Sequence, residues 1–71
     1  MGFGRLYEAE LDEVYEGYFE NDKKSGQGTV YRRNGEVCKG DFRNNFMEGP
    51  FEVVATLNKA QVDRIFKNAQ R

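Results

Sequence analysis

Side chains able to do chemistry are scarce in this 71-residue chain: it has no His, one Cys (Cys38) and one Ser (Ser25), against six Phe and four Tyr. Without imidazole there is no ordinary general base at neutral pH, no Ser-His or Cys-His nucleophile pair and no nitrogen-rich metal site. A lone Cys can neither close an intrachain disulfide nor hold zinc by itself, and Cys38 occupies a position where an apolar core residue is expected, which predicts a buried, inert thiol. The carboxylates from Glu8 to Glu16, and Asp41 and Glu48, have no apolar surroundings in sequence that would shift a pKa toward catalytic use, so they are expected as solvated charge. Gly26-Gln27-Gly28 looks like the opening of a dinucleotide loop, but Tyr31 stands where the third glycine belongs and no helix follows to receive a phosphate. The expectation is a chain that is not an enzyme, with no catalytic residue, cofactor, metal or small-molecule substrate.

The basic residues offer a different chemistry. Lys23-Lys24 and Arg32-Arg33 form two small clusters whose candidate ligand is an anionic lipid headgroup; nucleic acid is not expected, since it needs a larger positive footprint and Glu36 and Asp41 lie close by in sequence. The net charge of −1 conceals a gradient, because residues 1–22 set one Arg against seven carboxylates while residues 53–71 sum to +3. That gradient fits either a solvated charged surface or head-to-tail association. No apolar run approaches the ~18 residues of a membrane-spanning helix, and the N-terminus lacks a basic-plus-apolar signal pattern, which fits a reducing, cytoplasmic setting. A chain of this length makes one small domain that buries only roughly 60% of its unfolded surface.

What positions these residues is an internal repeat. A shift of 23 places Tyr15, Gly17, Phe19, Asn21 and Gly26 onto Cys38, Gly40, Phe42, Asn44 and Gly49, and a shift of 24 places Gly2, Gly4, Leu6 and Tyr7 onto Gly26, Gly28, Val30 and Tyr31. The chain divides into a half repeat at 1–14, a full repeat at 15–37 and a degenerate terminal repeat at 38–56. Inside each copy the pattern has period two: Tyr15, Gly17 and Phe19 share one face, and Glu16, Tyr18 and Glu20 share the other. Loops are expected at Asn21–Ser25 and Asn44–Glu48, and Asn34-Gly35 signals a type I′ hairpin turn. The fold expected is mainly β, a twisted antiparallel meander. Its strand glycines let rings from a neighbouring hairpin lie over bare backbone, giving a one-sided core of Tyr and Phe over Gly.

These residues carry a resemblance. YEGYF (15–19), GQGTVYRRNG (26–35) and KGDF (39–42) resemble the MORN repeat, Tyr-x-Gly-x-aromatic, a loop, Gly-x-Gly and a closing Gly, over residues 2–51. The resemblance makes Tyr15, Gly17, Phe19, Gly26, Gly28, Tyr31, Gly35, Gly40, Phe42 and Gly49 the repeat core. Cys38 in place of Tyr and Pro50-Phe51 in place of Gly-x-Gly mark a terminal copy. The family implies a non-catalytic scaffold in a cytoskeletal, ciliary or membrane-junction assembly, or a regulatory piece of a larger enzyme. Gly2-Phe3-Gly4 looks like the second strand of a hairpin whose first is absent, so a protein partner is expected to complete that edge in a hetero-complex.

Beyond the repeat, Phe51, Val53, Ala55 and Leu57 alternate on one side of a last strand ending near Thr56, and the period then turns helical. Val62, Ile65, Phe66 and Ala69 make an apolar stripe with Arg64, Lys67 and Arg71 opposite, Asn58 and Gln61 form a capping box, and Leu57 staples to Val62. This predicts an amphipathic helix at about 59–70 within a C-terminal segment, 57–71. Its stripe either folds back on the sheet or docks into a partner. Protein-binding candidates are therefore Phe3 and Tyr7 on the open N-terminal edge strand, Tyr18 and Phe46 on the sheet, and Val62, Ile65 and Phe66 on the helix.

Overall fold

In the computed structural model, which describes residues 2–69, the period-two stretches become five strands: β1 (Gly2–Glu8), β2 (Glu13–Glu20), β3 (Lys23–Arg32), β4 (Glu36–Arg43) and β5 (Phe46–Thr56). The helical pattern becomes α1 (Lys59–Ala69). All neighbouring strands are antiparallel, in the order β1-β2-β3-β4-β5, so the expected meander is what forms. The parts of the earlier expectations that fall on Met1, Gln70 and Arg71 lie outside the described residues.

The turns differ from expectation. Asn21 and Asp22 have φ of 54° and 64°, and Asn44 and Asn45 have 51° and 77°, the positive pair that a two-residue type I′ hairpin requires and that Asn and Asp tolerate. The expected five-residue loops are thus two residues long, and Lys23–Ser25 and Phe46–Glu48 belong to strands. Asn34-Gly35 is not the type I′ turn. Gly35 alone has positive φ, 101°, and its N–H donates to the Arg32 carbonyl at 2.9 Å, so Arg33, Asn34 and Gly35 make a three-residue loop. A Cβ at Gly35 would stand 2.5 Å from the Leu57 carbonyl oxygen. The strand length gained at each type I′ turn is absorbed by a bulge: between Gly17↔Gly28 and Phe19↔Lys24 β3 runs four residues against two, and β5 repeats this between Lys39↔Glu52 and Asp41↔Glu48.

Four glycines stand in one row across the sheet, Gly4↔Gly17↔Gly28↔Gly40. The Tyr15 ring lies over Gly17 and Gly28 so closely that a Cβ at Gly28 would collide with it. The cover for these glycines comes from their own hairpin, not a neighbouring one; Phe19 over Gly4 is the inter-hairpin case. Tyr15, Val30, Cys38 and Phe42 form the buried centre of this face, with Phe19 and Met47 beside them. Tyr15 meets Phe42 and Phe19 edge to face at 4.9 and 5.2 Å, and its hydroxyl donates to the Tyr18 carbonyl at 2.9 Å.

The sheet is not one-sided. On the opposite face Val14, Val62 and Phe66 form a second buried cluster, joined by Tyr7, Tyr31, Leu57, Ile65 and Ala69. The helix begins as expected: Asn58 Oδ1 accepts the Gln61 N–H at 2.9 Å, and Gln61 Oε1 accepts the Asn58 N–H at 3.0 Å. Its stripe then turns onto β1 and β2. β5 departs from the expected alternation, because an extra residue, Val54, sits between Val37↔Ala55 and Cys38↔Val53. Val53 therefore shares the Cys38 face while Ala55 stands opposite Val37, and every residue from Phe51 to Thr56 is exposed.

Candidate protein-interaction surface

The two basic clusters do not survive folding as clusters. Strand neighbours point to opposite faces, which splits Lys23 from Lys24, and Arg32 ends β3 while Arg33 lies in the loop that follows. Lys24 is only 6% exposed; its ammonium pairs with Glu8 and stands 5.2 and 5.7 Å from the ring centroids of Tyr15 and Phe42, and burial lowers its pKa. Arg32 pairs with Glu13 and Glu36, both at 3.4 Å, and lies over the Phe51 ring. Arg33 grips Asp12 with two hydrogen bonds of 2.9 Å and stacks 3.9 Å from the centroid of Phe66. Asp12 also accepts the Tyr7 hydroxyl at 2.8 Å. Hydrogen bonding from Arg33, then from Tyr7, holds the Asp12 carboxyl down to about 2, and donating to that carboxylate raises the Tyr7 pKa.

Of the lipid-contact candidates Lys23, Lys24, Arg32 and Arg33, only Lys23 is exposed and without an ion pair among the described residues. The four therefore do not form one shared patch of unpaired positive charge. The same pairs weaken the charge gradient at its acidic end. Glu8, Asp12, Glu13 and Glu16 of the acidic first third are each paired with a base, Glu16 with Arg5, so much of the expected head-to-tail complementarity is satisfied within the molecule.

The protein-binding candidates divide in two. Val62 and Phe66 are buried against Val14, Ile65 and Tyr7 are half-buried in the same cluster, and Tyr7 and Phe66 meet edge to face at 5.9 Å. The reading of Val62, Ile65, Phe66 and Tyr7 as a docking stripe is corrected, because their apolar area is spent on the sheet. Phe3, Tyr18 and Phe46 remain exposed. Phe3 and Tyr18 are directly cross-strand and stack edge to face at 5.3 Å. They border an open groove of about 580 Å³ on the face that α1 shares, floored by Gly28 and Gly40 and flanked by Thr29, Lys39 and Asp41.

A second exposed surface escaped the sequence reading. β5 is an edge strand on which Phe51, Val53 and Val54 are 44%, 48% and 45% exposed. The signal was present, since an apolar run closes the last repeat and no strand pattern follows it to cover the run.

Among the described residues no group of three or more His, Cys, Asp or Glu side chains converges on a point suited to a metal ion. Cys38 is buried, and desolvation pushes its thiol pKa up, away from the reactive thiolate.

The MORN repeat family model matches residues 15–37 and 38–50. No curated protein and no solved structure matches the chain significantly. The two matched segments span just over half of the sequence; the first covers most of the bulged hairpin β2–β3, and the second most of β4 and the start of β5. On that match and that geometry, the chain belongs to the MORN repeat family.

Proposed function

We propose that this chain is a non-enzymatic protein-interaction module, a small subunit or adaptor of a larger cytoplasmic assembly of cytoskeletal, ciliary or membrane-associated kind. MORN repeats generally act as protein- or membrane-interaction modules and are not typically enzymes. The observation that carries the reading is the Phe3–Tyr18 pair: two rings, 64% and 50% exposed, held edge to face beside an uncovered groove. Tyr7 and Tyr31 on the same face are packed under α1, in the cluster that holds its Phe66. Rings already fixed by a neighbour lose little side-chain entropy on binding, which is why aromatic anchors dominate interface energetics. Thr29, Lys39 and Asp41 supply the polar rim that such an interface needs.

The test is photocrosslinking in cells from position 27, whose Gln lines the same groove, identified by mass spectrometry and repeated with Phe3→Ser/Tyr18→Ser. A discrete protein partner that crosslinks to the native surface and is lost with the double variant, at unchanged thermal stability, supports the proposal. Equal capture by both proteins overturns it. The spent basic residues give a companion expectation, that the chain stays in the supernatant when sedimented with anionic vesicles at about 0.15 M salt, where exposed charge is screened beyond ~8 Å. Co-sedimentation that Lys23→Glu abolishes would move the contact onto a membrane.

A further inference from the structure

We propose that the outer edge of β5 receives an extended segment of pattern aromatic-basic-Gly-x-aromatic from another protein, laid antiparallel in the register that β4 keeps against β3. The proposal deepens the interaction reading but uses a surface separate from the Phe3–Tyr18 groove.

The register is written twice in the sheet. β1 meets β2 through Leu6↔Tyr15, Gly4↔Gly17 and Gly2↔Phe19, and β3 meets β4 through Val30↔Cys38, Gly28↔Gly40 and Gly26↔Phe42. In both, a strand of Gly-x-Gly-x-aliphatic type lies against one of Tyr/Cys-x-Gly-x-Phe type. β5 carries Gly49, Phe51 and Val53 at the places of Gly26, Gly28 and Val30, 23 residues on. Among the described residues no strand of the second type follows, because the chain leaves the sheet at Leu57 and α1 crosses back to β1 and β2. An edge this long presents unpaired backbone groups as a template for another strand.

The side chains say which strand fits. In the full repeat Tyr15 supplies the ring and Gly28 the bare backbone. In the last copy the small residue is Cys38, and Phe51 supplies bulk from the other strand, 3.3 Å from where a Cβ of Gly40 would stand. An incoming strand in register sets its Gly opposite Phe51, where bare backbone leaves room for the ring, and its first aromatic opposite Val53. The residue between them faces Glu52, which already lies across from Lys39 on its inner side, so a Lys or Arg there continues an alternating-charge row. Pro50 sits within the bulge and sets one limit of the ladder, so the deciding contacts are those of Phe51, Glu52 and Val53.

The probe is a synthetic peptide copying residues 36–43 with Cys38→Tyr, titrated into the full chain and followed by amide chemical shifts and hydrogen exchange. The expected result is shifts and slowed exchange confined to Phe51–Val54, with binding weakened about tenfold by Gly40→Val in the peptide, since overpacking of a close contact is costly. Glu52→Lys in the protein should weaken the same peptide about threefold, and Lys39→Glu in the peptide should restore it, as expected for one cross-strand charge pair. Because the charge swap acts on an exposed residue, a folding defect cannot mimic its rescue. Shifts centred on the Phe3–Tyr18 groove or on β1, equal binding of the Gly40→Val peptide, or no binding at millimolar peptide would each overturn the proposal. Phe3→Ser/Tyr18→Ser should bind the peptide normally, so failure here and failure of the groove reading are told apart.

Discussion

Cys38 and Phe51 are each departures from the family pattern: the ring is missing from the first strand of the hairpin and one stands on the second, against Gly40 and 44% exposed. The full repeat tolerates no such exchange in the other direction, because Tyr15 already fills the space above Gly28. Gly28→Ala should therefore cost about 2 kcal/mol by forcing the ring off its rotamer, read as a lower urea midpoint at unchanged slope. Lys24 offers a second test at this scale. Its aliphatic stem packs among Tyr15 and Phe42 while its charge answers Glu8, whose side chain keeps 28% exposure and can be rehydrated. Lys24→Met should leave stability within about 1 kcal/mol, since a buried pair often does no better than a hydrophobe of similar volume. Lys24→Ala, which removes the stem as well, should cost about 2 kcal/mol or more. A large loss with Met would mean that the ion pair, not the packing, holds the site.

Between elements, the strands and the capped helix were legible because each rests on neighbours in sequence: period-two alternation for β2 and β4, and Asn58 with Gln61 for the start of α1. The turn types were not, because the bulges at Gly26 and Gly49 decide how far β3 and β5 reach, and a bulge is a property of two strands at once. The ion pairs of the basic residues are hidden in sequence for the same kind of reason. Lys23-Lys24 and Arg32-Arg33 are contiguous along the chain, but their partners, Glu8, Glu13 and Asp12, arrive from strands or turns about 20 residues or less away. Asp12 joins three elements this way, tying the β1–β2 turn to the β3–β4 loop through Arg33 and to β1 through Tyr7. Its folded pKa of about 2 lies below the ordinary 3.8 of an Asp side chain, so its contribution is present above about pH 4 and is lost as pH falls toward 2. Thermal melts should show a decline across that window that Asp12→Asn largely flattens. At the helix start, Asn58→Ala should cost about 1 kcal/mol by orphaning the Gln61 N–H.

At the scale of the whole molecule, two shallow cores share one sheet, and neither is large. The ring-over-glycine core is centred on β2, β3 and β4, while the second core exists only because α1 returns to cover Val14. That arrangement gives the helix a structural duty that a docking arm would not have. Phe66 is 2% exposed, touches Tyr7 edge to face, and lies under the Arg33 guanidinium, so it is where the helix, β1 and the β3–β4 loop converge. Phe66→Ala should cost about 3–4 kcal/mol, a large share of the 5–15 kcal/mol typical of a folded domain. Phe46→Ser, on an exposed ring that no core uses, should change stability by less than about 0.5 kcal/mol. Chemical denaturation of the two variants separates the alternatives. A helix that merely waited for a partner would leave the Phe66→Ala midpoint near that of the native chain, whereas a helix that forms half of the core lowers it and exposes Tyr7 and Tyr31 to solvent at the same denaturant concentration.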